Sequence, residues 1–153
     1  PIISYNYGAK NKERVKAIFK LLTIVCFTYS LCLWSSIMLF PRGFASIFTS
    51  NQTLVPFTAQ MLRIYCGGLC IFGIQIACQM TFVSIGSSLS SIAVAVFRKF
   101  IILIPLIYIV PHLVNNPVIG VYLAEPIADI TAVLFTICLF SFKFRKALNK
   151  ISN

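Results

Sequence analysis

Long apolar segments alternate with short polar or proline-containing stretches along the whole chain. Four segments are long enough to cross a bilayer as helices, which takes about 20 mostly apolar residues. They cover residues 17–40, 57–85, 92–113 and 118–142. Prolines separate the first segment from the second and the third from the fourth, and a serine-rich turn separates the second from the third. The pattern predicts an all-α integral membrane fold with four transmembrane helices.

The composition supports a membrane protein over a soluble one. Of the 153 residues, 59% are hydrophobic and 10% are charged, whereas a soluble domain carries about 25% charged residues. The formal net charge of +10 would suggest a nucleic-acid partner if the protein were soluble. Because the basic residues lie between apolar segments, we expect a lipid bilayer as the partner and no nucleic acid.

The basic residues are distributed unevenly between the two ends of the predicted helices. Eleven of the 13 precede the first helix, follow the second (in the first turns of the third) or follow the fourth. They are Lys10, Lys12, Arg14, Lys16, Lys20, Arg98, Lys99, Lys143, Arg145, Lys146 and Lys150. Arg42 and Arg63 fall toward the opposite side. Since cytoplasmic loops are enriched in Lys and Arg, we expect a multi-pass protein of the cell (plasma) membrane with both ends of this chain in the cytoplasm.

The pattern of reactive residues does not indicate an enzyme or a metal centre. The six cysteines lie within apolar segments and include no C-x-x-C pair, and His112 is the single histidine. Such a pattern predicts neither a zinc site nor a disulfide framework. The sequence also lacks a glycine-rich phosphate loop and a nucleophile–base–acid set. We therefore expect no catalytic residue, no bound metal, no cofactor and no enzymatic activity.

Two of the three acidic residues, Glu125 and Asp129, lie inside the fourth apolar segment. They are four residues apart and so share one face of a helix, whose opposite face is apolar. Carboxylates inside a membrane are costly and usually face protein or water. Tyr122 shares their face, and Pro126 cannot donate to the Tyr122 carbonyl, which leaves that oxygen free beside them. We therefore predict an ion or substrate pathway along Asp129, Glu125 and Tyr122, with Pro126 as a hinge.

A structural ion pair is the alternative role for the same carboxylates. Counted from the outer side, Arg63 lies about six residues into the second segment and Glu125 about seven residues into the fourth. At about 1.5 Å per residue, both lie roughly 10 Å deep, so a pair between Arg63 and Glu125 is as well supported as a transport role. Asp129 lies one turn deeper without an evident partner, which favours Asp129 over Glu125 as the transport residue.

The second segment carries a polar face of its own. Phe72, Gln75 and Gln79 project from one side of the predicted helix, and this mixture suits a cavity that binds amphipathic molecules. The predicted pathway therefore includes these three residues. The alternative is that the two glutamines only form hydrogen bonds with a neighbouring helix. Pro105 interrupts the third segment and is either a hinge or a packing feature.

Four motifs of the chain resemble one family of membrane transporters. Residues 1–10 (PIISYNYGAK), followed by Arg14 and Val15, resemble the segment between the eighth and ninth spans of MATE (multidrug and toxic compound extrusion) transporters. Similarity to the tenth, eleventh and twelfth spans is found in residues 62–65 (LRIY), 104–108 (IPLIY) and 120–129 (GVYLAEPIAD). Because the order and spacing agree over nearly the whole chain, we identify it as a MATE protein of a MepA-like branch.

This resemblance implies both an architecture and an activity. MATE transporters have twelve spans in two six-helix lobes, and they are secondary active antiporters that work by alternating access. They export cationic amphipathic drugs or toxins in exchange for H⁺ or Na⁺, with no cofactor besides the coupling ion. Residues 1–153 would then form the C-terminal part of the C-lobe. The partners implied are small amphipathic cations and the missing N-terminal eight helices of the same protein.

One departure from the family bears on the coupling ion. In NorM-like members, an acidic residue on the tenth span helps to hold the coupling cation. The corresponding segment of this chain carries Gln75 and Gln79 and no acid. The Na⁺ site of those members is therefore not carried over, and H⁺ is favoured.

Two other functions are weighed against an antiporter. A flippase for lipid-linked oligosaccharides, from a related superfamily, should line its pathway with several bases to meet pyrophosphate. Arg63 is the one deep base that the predicted spans allow, which disfavours a flippase. A non-transporting membrane scaffold would have no need of intramembrane carboxylates, so its activity should not depend on Glu125 and Asp129.

Overall fold

The computed structural model describes the backbone of residues 1–152 and the side chains of residues 1–150. The described residues form helices and short connections, without a β-strand. The α-helices are α1 (Ile2–Gly8), α2 (Lys12–Leu39), α3 (Pro41–Phe48), α4 (Val55–Tyr65), α5 (Leu69–Ser84), α6 (Ser88–Val96), α7 (Ile104–Leu113) and α8 (Pro117–Ser152). A 3₁₀ turn, Cys66–Gly68, joins α4 to α5, and a π-helical segment, Phe97–Leu103, joins α6 to α7.

Within the described residues, four helical stretches are long and apolar enough to cross a membrane. They are Lys12–Leu39, Val55–Ser84, Ser88–Leu113 and Pro117–Lys150, here called spans 1 to 4. The predicted all-α fold with four transmembrane helices is confirmed. The helices of spans 1 and 4 extend beyond the predicted segments 17–40 and 118–142, because Lys and Arg are good helix formers and continue the helix past its apolar part.

A turn at Lys10 and an N-cap at Asn11 determine where span 1 begins. Lys10 adopts a positive φ of 55° and turns the chain between α1 and α2. Asn11 follows as the N-cap of α2, and its side-chain oxygen accepts a hydrogen bond from the backbone N–H of Arg14 at 3.1 Å. A capping side chain of this kind satisfies one of the donors that a helix leaves unpaired at its first turn.

An aromatic core holds one end of the four spans together. Phe82 and Phe140 pack edge to face with their ring centroids 5.2 Å apart, and Phe140 stacks on Phe19 at 4.6 Å and on Phe144 at 4.8 Å. Side chains of spans 1, 2, 3 and 4 all enter this buried cluster, with Val94 from span 3. Because each ring buries a large apolar area, this core fixes the relative positions of the spans at that end.

The neighbouring spans run antiparallel. The Lys143 ammonium near the end of span 4 donates to the Ser90 hydroxyl at the start of span 3, at 2.8 Å. At the other end of the same pair, Gly120 of span 4 lies against the backbone of Pro111 in span 3. Spans 1 and 2 are antiparallel as well, since the start of span 1 shares the aromatic core with the end of span 2. The chain therefore crosses back and forth four times.

Spans 1 and 2 approach most closely at Gly73. Ser30 of α2 donates its hydroxyl to the Cys70 carbonyl of α5 at 3.2 Å and accepts the Gly73 N–H at 3.2 Å. A Cβ atom added to Gly73 would overlap the Cys26 carbonyl oxygen and lie 2.6 Å from the Ser30 hydroxyl oxygen. Small residues permit this kind of close helix–helix contact in membranes, so the absence of a side chain at position 73 sets the spacing of the two spans.

Replacing Gly73 by Ala should therefore destabilise the protein. The added methyl group meets backbone, which cannot move as a flexible side chain can, and overpacking of this kind costs about 1–3 kcal/mol. We expect a lower thermal unfolding midpoint for the purified protein in detergent. Gly43→Ala is the matched control, because Gly43 lies in α3 with open space around it, and Ala there should have a neutral or stabilising effect. Equal midpoints for the two variants would contradict the proposed close contact.

Candidate functional site

Glu125 and Asp129 lie on the buried face of span 4. Their residues are 8% and 5% exposed, and the same face continues through Ala132 and Thr136, which are completely buried. The opposite side of the helix is exposed at Ile127, Ile130, Leu134 and Ile137. The structure therefore agrees with the division into an inner polar face and an outer apolar face that the helical period predicts.

Arg98 of span 3 binds both carboxylates. Its Nε donates to Oδ1 of Asp129 at 2.7 Å, and its Nη2 donates to Oε1 of Glu125 at 2.8 Å and also contacts Oδ1 of Asp129. The three side chains are 8–13% exposed. The guanidinium carbon lies 4.7 Å from the ring centroid of Phe72 in span 2, within the range of a cation–π contact. We call Arg98, Glu125 and Asp129 the ion triad.

Lys99 approaches the ion triad from its outer edge. Its ammonium nitrogen lies 3.4 Å from Oε1 of Glu125, the same oxygen that accepts from Arg98. The Lys99 side chain is 51% exposed, in contrast to the triad. Two bases thus meet two acids within the spans, so the four groups together carry no net charge.

The expected ion pair between Arg63 and Glu125 is wrong. The Arg63 side chain donates from Nη2 to the Met38 carbonyl at 2.8 Å, and Glu125 pairs with Arg98 and Lys99. Met38 belongs to the last turn of α2, whose carbonyls have no partner within the helix. A cation is favoured at such a C-terminus, so Arg63 stabilises the C-terminal end of the span 1 helix. Asp129, for which no partner was expected, is bound by Arg98.

The assignment of Arg98 and Lys99 to the cytoplasmic end is also corrected. Span 3 begins at Ser88 and not near residue 92, so Arg98 lies ten residues, or about 15 Å, inside the helix. Nine bases remain at the end where α2 begins and α8 ends, against Arg42 and Arg63 at the other. The sequence does contain a signal for this pairing. Two adjacent basic residues lie in the third apolar segment and two acidic residues lie in the fourth.

The backbone around Arg98 is irregular. Arg98 and Lys99 belong to the π-helical segment Phe97–Leu103, which ends directly before α7 and its second residue, Pro105. Proline has no N–H for the Ile101 carbonyl and collides with it in a regular α-helix, which favours a wider turn before Pro105. Single stretches of π-helix occur frequently at functional sites.

Gly68 lets span 4 approach span 2 beside the triad. A Cβ atom on Gly68 would lie 2.7 Å from Cβ of Asp129, whereas one on neighbouring Gly67 would lie at an ordinary contact distance, 3.5 Å, from Cβ of Pro126. Both glycines belong to the 3₁₀ turn Cys66–Gly68. The backbone of span 2 therefore forms one wall of the Asp129 site, and a larger residue at position 68 would push the carboxylate away.

The other residues of the predicted pathway are only partly brought together. Phe72 lies under the Arg98 guanidinium, whereas Gln79 donates from Nε2 to the Ser91 carbonyl of span 3 at 3.3 Å. Gln75 lies between them on the same face of α5 and is fully buried, and its Oε1 has no hydrogen-bond partner among the described residues. Tyr122 packs edge to face on Tyr65 at 6.4 Å.

The two predicted hinges lie in different surroundings. Pro105 follows the π-helical segment and stands at the start of α7. Pro126 lies inside α8, which continues through it, and packs near Gly67. A hinge role for either proline stays a prediction.

Comparisons with known proteins find a matching family for this chain. The model of the MatE family matches residues 1–109, which is more than two thirds of the chain. No curated protein matches the chain in sequence. The family match includes spans 1 and 2 and the part of span 3 that holds Arg98 and Lys99.

Solved structures show the same arrangement of helices. A multidrug resistance MATE family transporter of the MOP superfamily, in an inward-facing conformation, matches with a TM-score of 0.89 and 22% identity over 99% of this chain and 35% of that one. A MATE structure in complex with MaL6 matches with a TM-score of 0.85 and 21% identity, covering 97% and 33%. The Vibrio cholerae MATE transporter VcmN, in its bent form, matches with a TM-score of 0.81 and 18% identity, covering 99% and 33%. The chain thus spans about a third of the length of these structures.

Removing the shared cation of the triad should destabilise the protein strongly. Arg98→Gln leaves the buried Asp129 without a partner among the described residues and Glu125 with its contact to Lys99 alone, and breaking a buried pair in this way costs about 3–5 kcal/mol. The measurement is denaturant unfolding of the purified protein in detergent. Adding Glu125→Gln and Asp129→Asn should recover most of the loss, because the uncompensated charges are then gone.

Arg63→Gln is the matched control for this experiment. It makes the same chemical change at an exposed arginine whose side chain binds the carbonyl at the end of α2, so the loss of stability should be much smaller. If Arg98→Gln and Arg63→Gln lowered the free energy of unfolding by equally small amounts, the ion triad would not be a buried, charged unit.

Proposed function

Because this chain belongs to the MatE family, we propose that it is part of the C-terminal lobe of a secondary active antiporter. The whole protein would export cationic amphipathic drugs or toxins in exchange for H⁺ or Na⁺, by alternating access of two lobes. The single observation that carries this proposal is the ion triad, which holds two carboxylates in the interior of a multi-pass membrane protein. A non-enzymatic role is consistent with the family.

The charge of the triad supports a cation pathway. Arg98 neutralises one of its two carboxylates, so the three buried groups together carry one negative charge. Ionisable groups are rare in membrane spans and mark ion or substrate pathways when they occur. Lys99 balances this charge through its contact to Glu125 at 3.4 Å, and the triad without Lys99 would attract a proton, a sodium ion or the charged end of an organic cation. Glu125 and Asp129 are the residues that would receive it.

The surroundings of the triad support an amphipathic substrate. Phe72 supplies an aromatic face beside the charged groups, and Tyr65 and Tyr122 form an aromatic pair one turn before Glu125. A hydrophobic wall with a few convergent polar groups is the usual character of a small-molecule site. Gln75 adds a buried carbonyl oxygen without a partner among the described residues, which is suited to accept a hydrogen bond from a substrate.

Proton coupling is favoured over sodium coupling. Span 2 carries Gln75 and Gln79 and no acid, so a cation would be held by span 4 alone, with Arg98 already bound there. A metal ion needs several oxygen ligands together, whereas a proton needs one carboxylate. The flippase alternative is weakened further, because the interior bases Arg98 and Lys99 pair with carboxylates and do not line a surface for pyrophosphate.

The orientation and branch are proposed on the same basis. Nine bases lie at the end where α2 begins and α8 ends, which supports a cytoplasmic position for both ends in the plasma membrane. The eight helices that precede these four in a twelve-helix MATE transporter would then supply the other lobe and the first two helices of this one. The motifs at residues 1–10 and 120–129 support a MepA-like branch.

Transport should depend on Asp129. We expect inside-out vesicles that contain the full-length protein to take up ethidium under an imposed H⁺ gradient, and Asp129→Asn to reduce the initial rate at least about tenfold, the loss expected when a charge required for coupling is removed. An imposed Na⁺ gradient, tested in parallel, identifies the coupling ion.

Glu13→Gln is the matched control, because it also removes one carboxylate but at an exposed position in the first turn of α2. It should transport as the wild type does. Transport unchanged in Asp129→Asn would remove this residue from the mechanism. No uptake under either gradient would contradict a drug antiporter and direct the next assay to lipid-linked sugars.

A further inference from the structure

The two bases at the carboxylates are held in very different ways. Arg98 bonds to both acids, covers the ring of Phe72, and has a side chain that is 13% exposed. Lys99 has one contact, at 3.4 Å to Glu125, and a side chain that is 51% exposed. Arg98 and Lys99 are neighbours in sequence, so this difference comes from the side on which each residue leaves the π-helical segment.

The difference in burial decides which base can leave. Breaking a buried pair is costly, because it leaves a charge without compensation in the protein interior. Among the described residues, the Lys99 ammonium has a single contact, at 3.4 Å, on a side chain that is half-exposed, so fewer interactions are lost when it moves, and the loss is small wherever water reaches the ammonium. The ammonium group of lysine is also carried on a flexible four-carbon stem, whereas the Arg98 guanidinium is held by several bonds at once. Lys99 is therefore displaceable and Arg98 is not.

Displacement of Lys99 would change the net charge of the site. Without Lys99, the ion triad carries one excess negative charge, and an unbalanced charge is costly in the low-dielectric interior of a membrane protein. One positive charge should therefore lie beside Glu125 in every state of the site. The ammonium of Lys99 supplies it in this structure, and another monovalent cation can supply it only when Lys99 has moved away.

We propose that Lys99 is a tethered placeholder at the Glu125 carboxylate, which a monovalent organic cation displaces when it binds. This inference rests on the proposed function, because it needs a transported cation that uses Glu125. Arg98 stays in place throughout as a positioning residue that fixes the two carboxylates. The exchange is one positive charge for one, so the site selects substrates with a single positive charge at the end that reaches Glu125.

Equilibrium binding of ethidium to the purified full-length protein in detergent tests the placeholder role. Lys99→Gln removes the competitor, so the dissociation constant measured by ethidium fluorescence should fall about two- to fivefold, the factor that corresponds to an exposed ion pair of up to about 1 kcal/mol. Lys99→Arg keeps the competing charge and should bind ethidium no more tightly than the wild type does. Glu125→Gln should weaken binding, and adding Lys99→Gln to Glu125→Gln should then have no further effect.

Lys16→Gln is the matched control. It removes one positive charge from another exposed ion pair, 3.6 Å from Glu13 at the start of α2, and should leave ethidium binding unchanged. A purely structural role for Lys99 would lower the unfolding midpoint of Lys99→Gln without tightening binding.

The failure of this inference can be told apart from failure of the proposed function. If the wild type binds ethidium and Glu125→Gln does not, but Lys99→Gln binds no more tightly than the wild type, the placeholder role is overturned and the antiporter stands. The placeholder role is also overturned if Lys16→Gln tightens binding as much as Lys99→Gln, because the effect would then be one of net charge. If the wild type neither binds nor transports ethidium, the proposed function is wrong, and the placeholder role of Lys99 is then wrong as well.

Discussion

Two carboxylates in the middle of an apolar helix bundle need a cation within hydrogen-bond distance, and Arg98 meets that need for both. Its guanidinium reaches Asp129 and Glu125 with separate N–H groups, and the planar guanidinium fixes the directions of these bonds more rigidly than a rotating ammonium group would. Span 3 is thereby tied to span 4 at about the middle of its length. The rotation of both helices follows from this contact, since neither acid can turn toward lipid.

The packing of the remaining spans is consistent with that constraint. Gly68 lets the backbone of span 2 approach Asp129, and Gly73 lets span 2 approach span 1 on the other side. Span 2 therefore lies between two close contacts that each depend on a missing side chain. The aromatic core around Phe140 then fixes the spans at one end. The same four helices recur with the same arrangement in solved MATE transporters.

The site holds two adjacent bases in different ways. Arg98 binds both carboxylates, whereas the half-exposed Lys99 contacts Glu125. In the antiporter proposed here, Arg98 would keep the shape of the binding site and Lys99 would supply the charge that a substrate replaces. Both residues lie in the π-helical segment Phe97–Leu103, and as neighbours on a helix they leave it in different directions.

The sequence by itself determined the number of spans, the inner face of span 4 and the family, because apolar length, helical period and local motifs are all properties of neighbouring residues. It also predicted a pathway that includes Glu125, Asp129 and Phe72; the structure brings these three around Arg98, and their role as a pathway stays a prediction. Which base pairs with which acid was decided only by the tertiary structure. Arg63 and Glu125 have similar depths, but pairing also depends on helix rotation, and a π-helical segment changes that rotation in a way that a regular 3.6-residue period does not show. The start of span 3 at Ser88 likewise depends on packing against neighbouring spans and not on apolar content, which is why the depth of Arg98 became evident only in the folded chain.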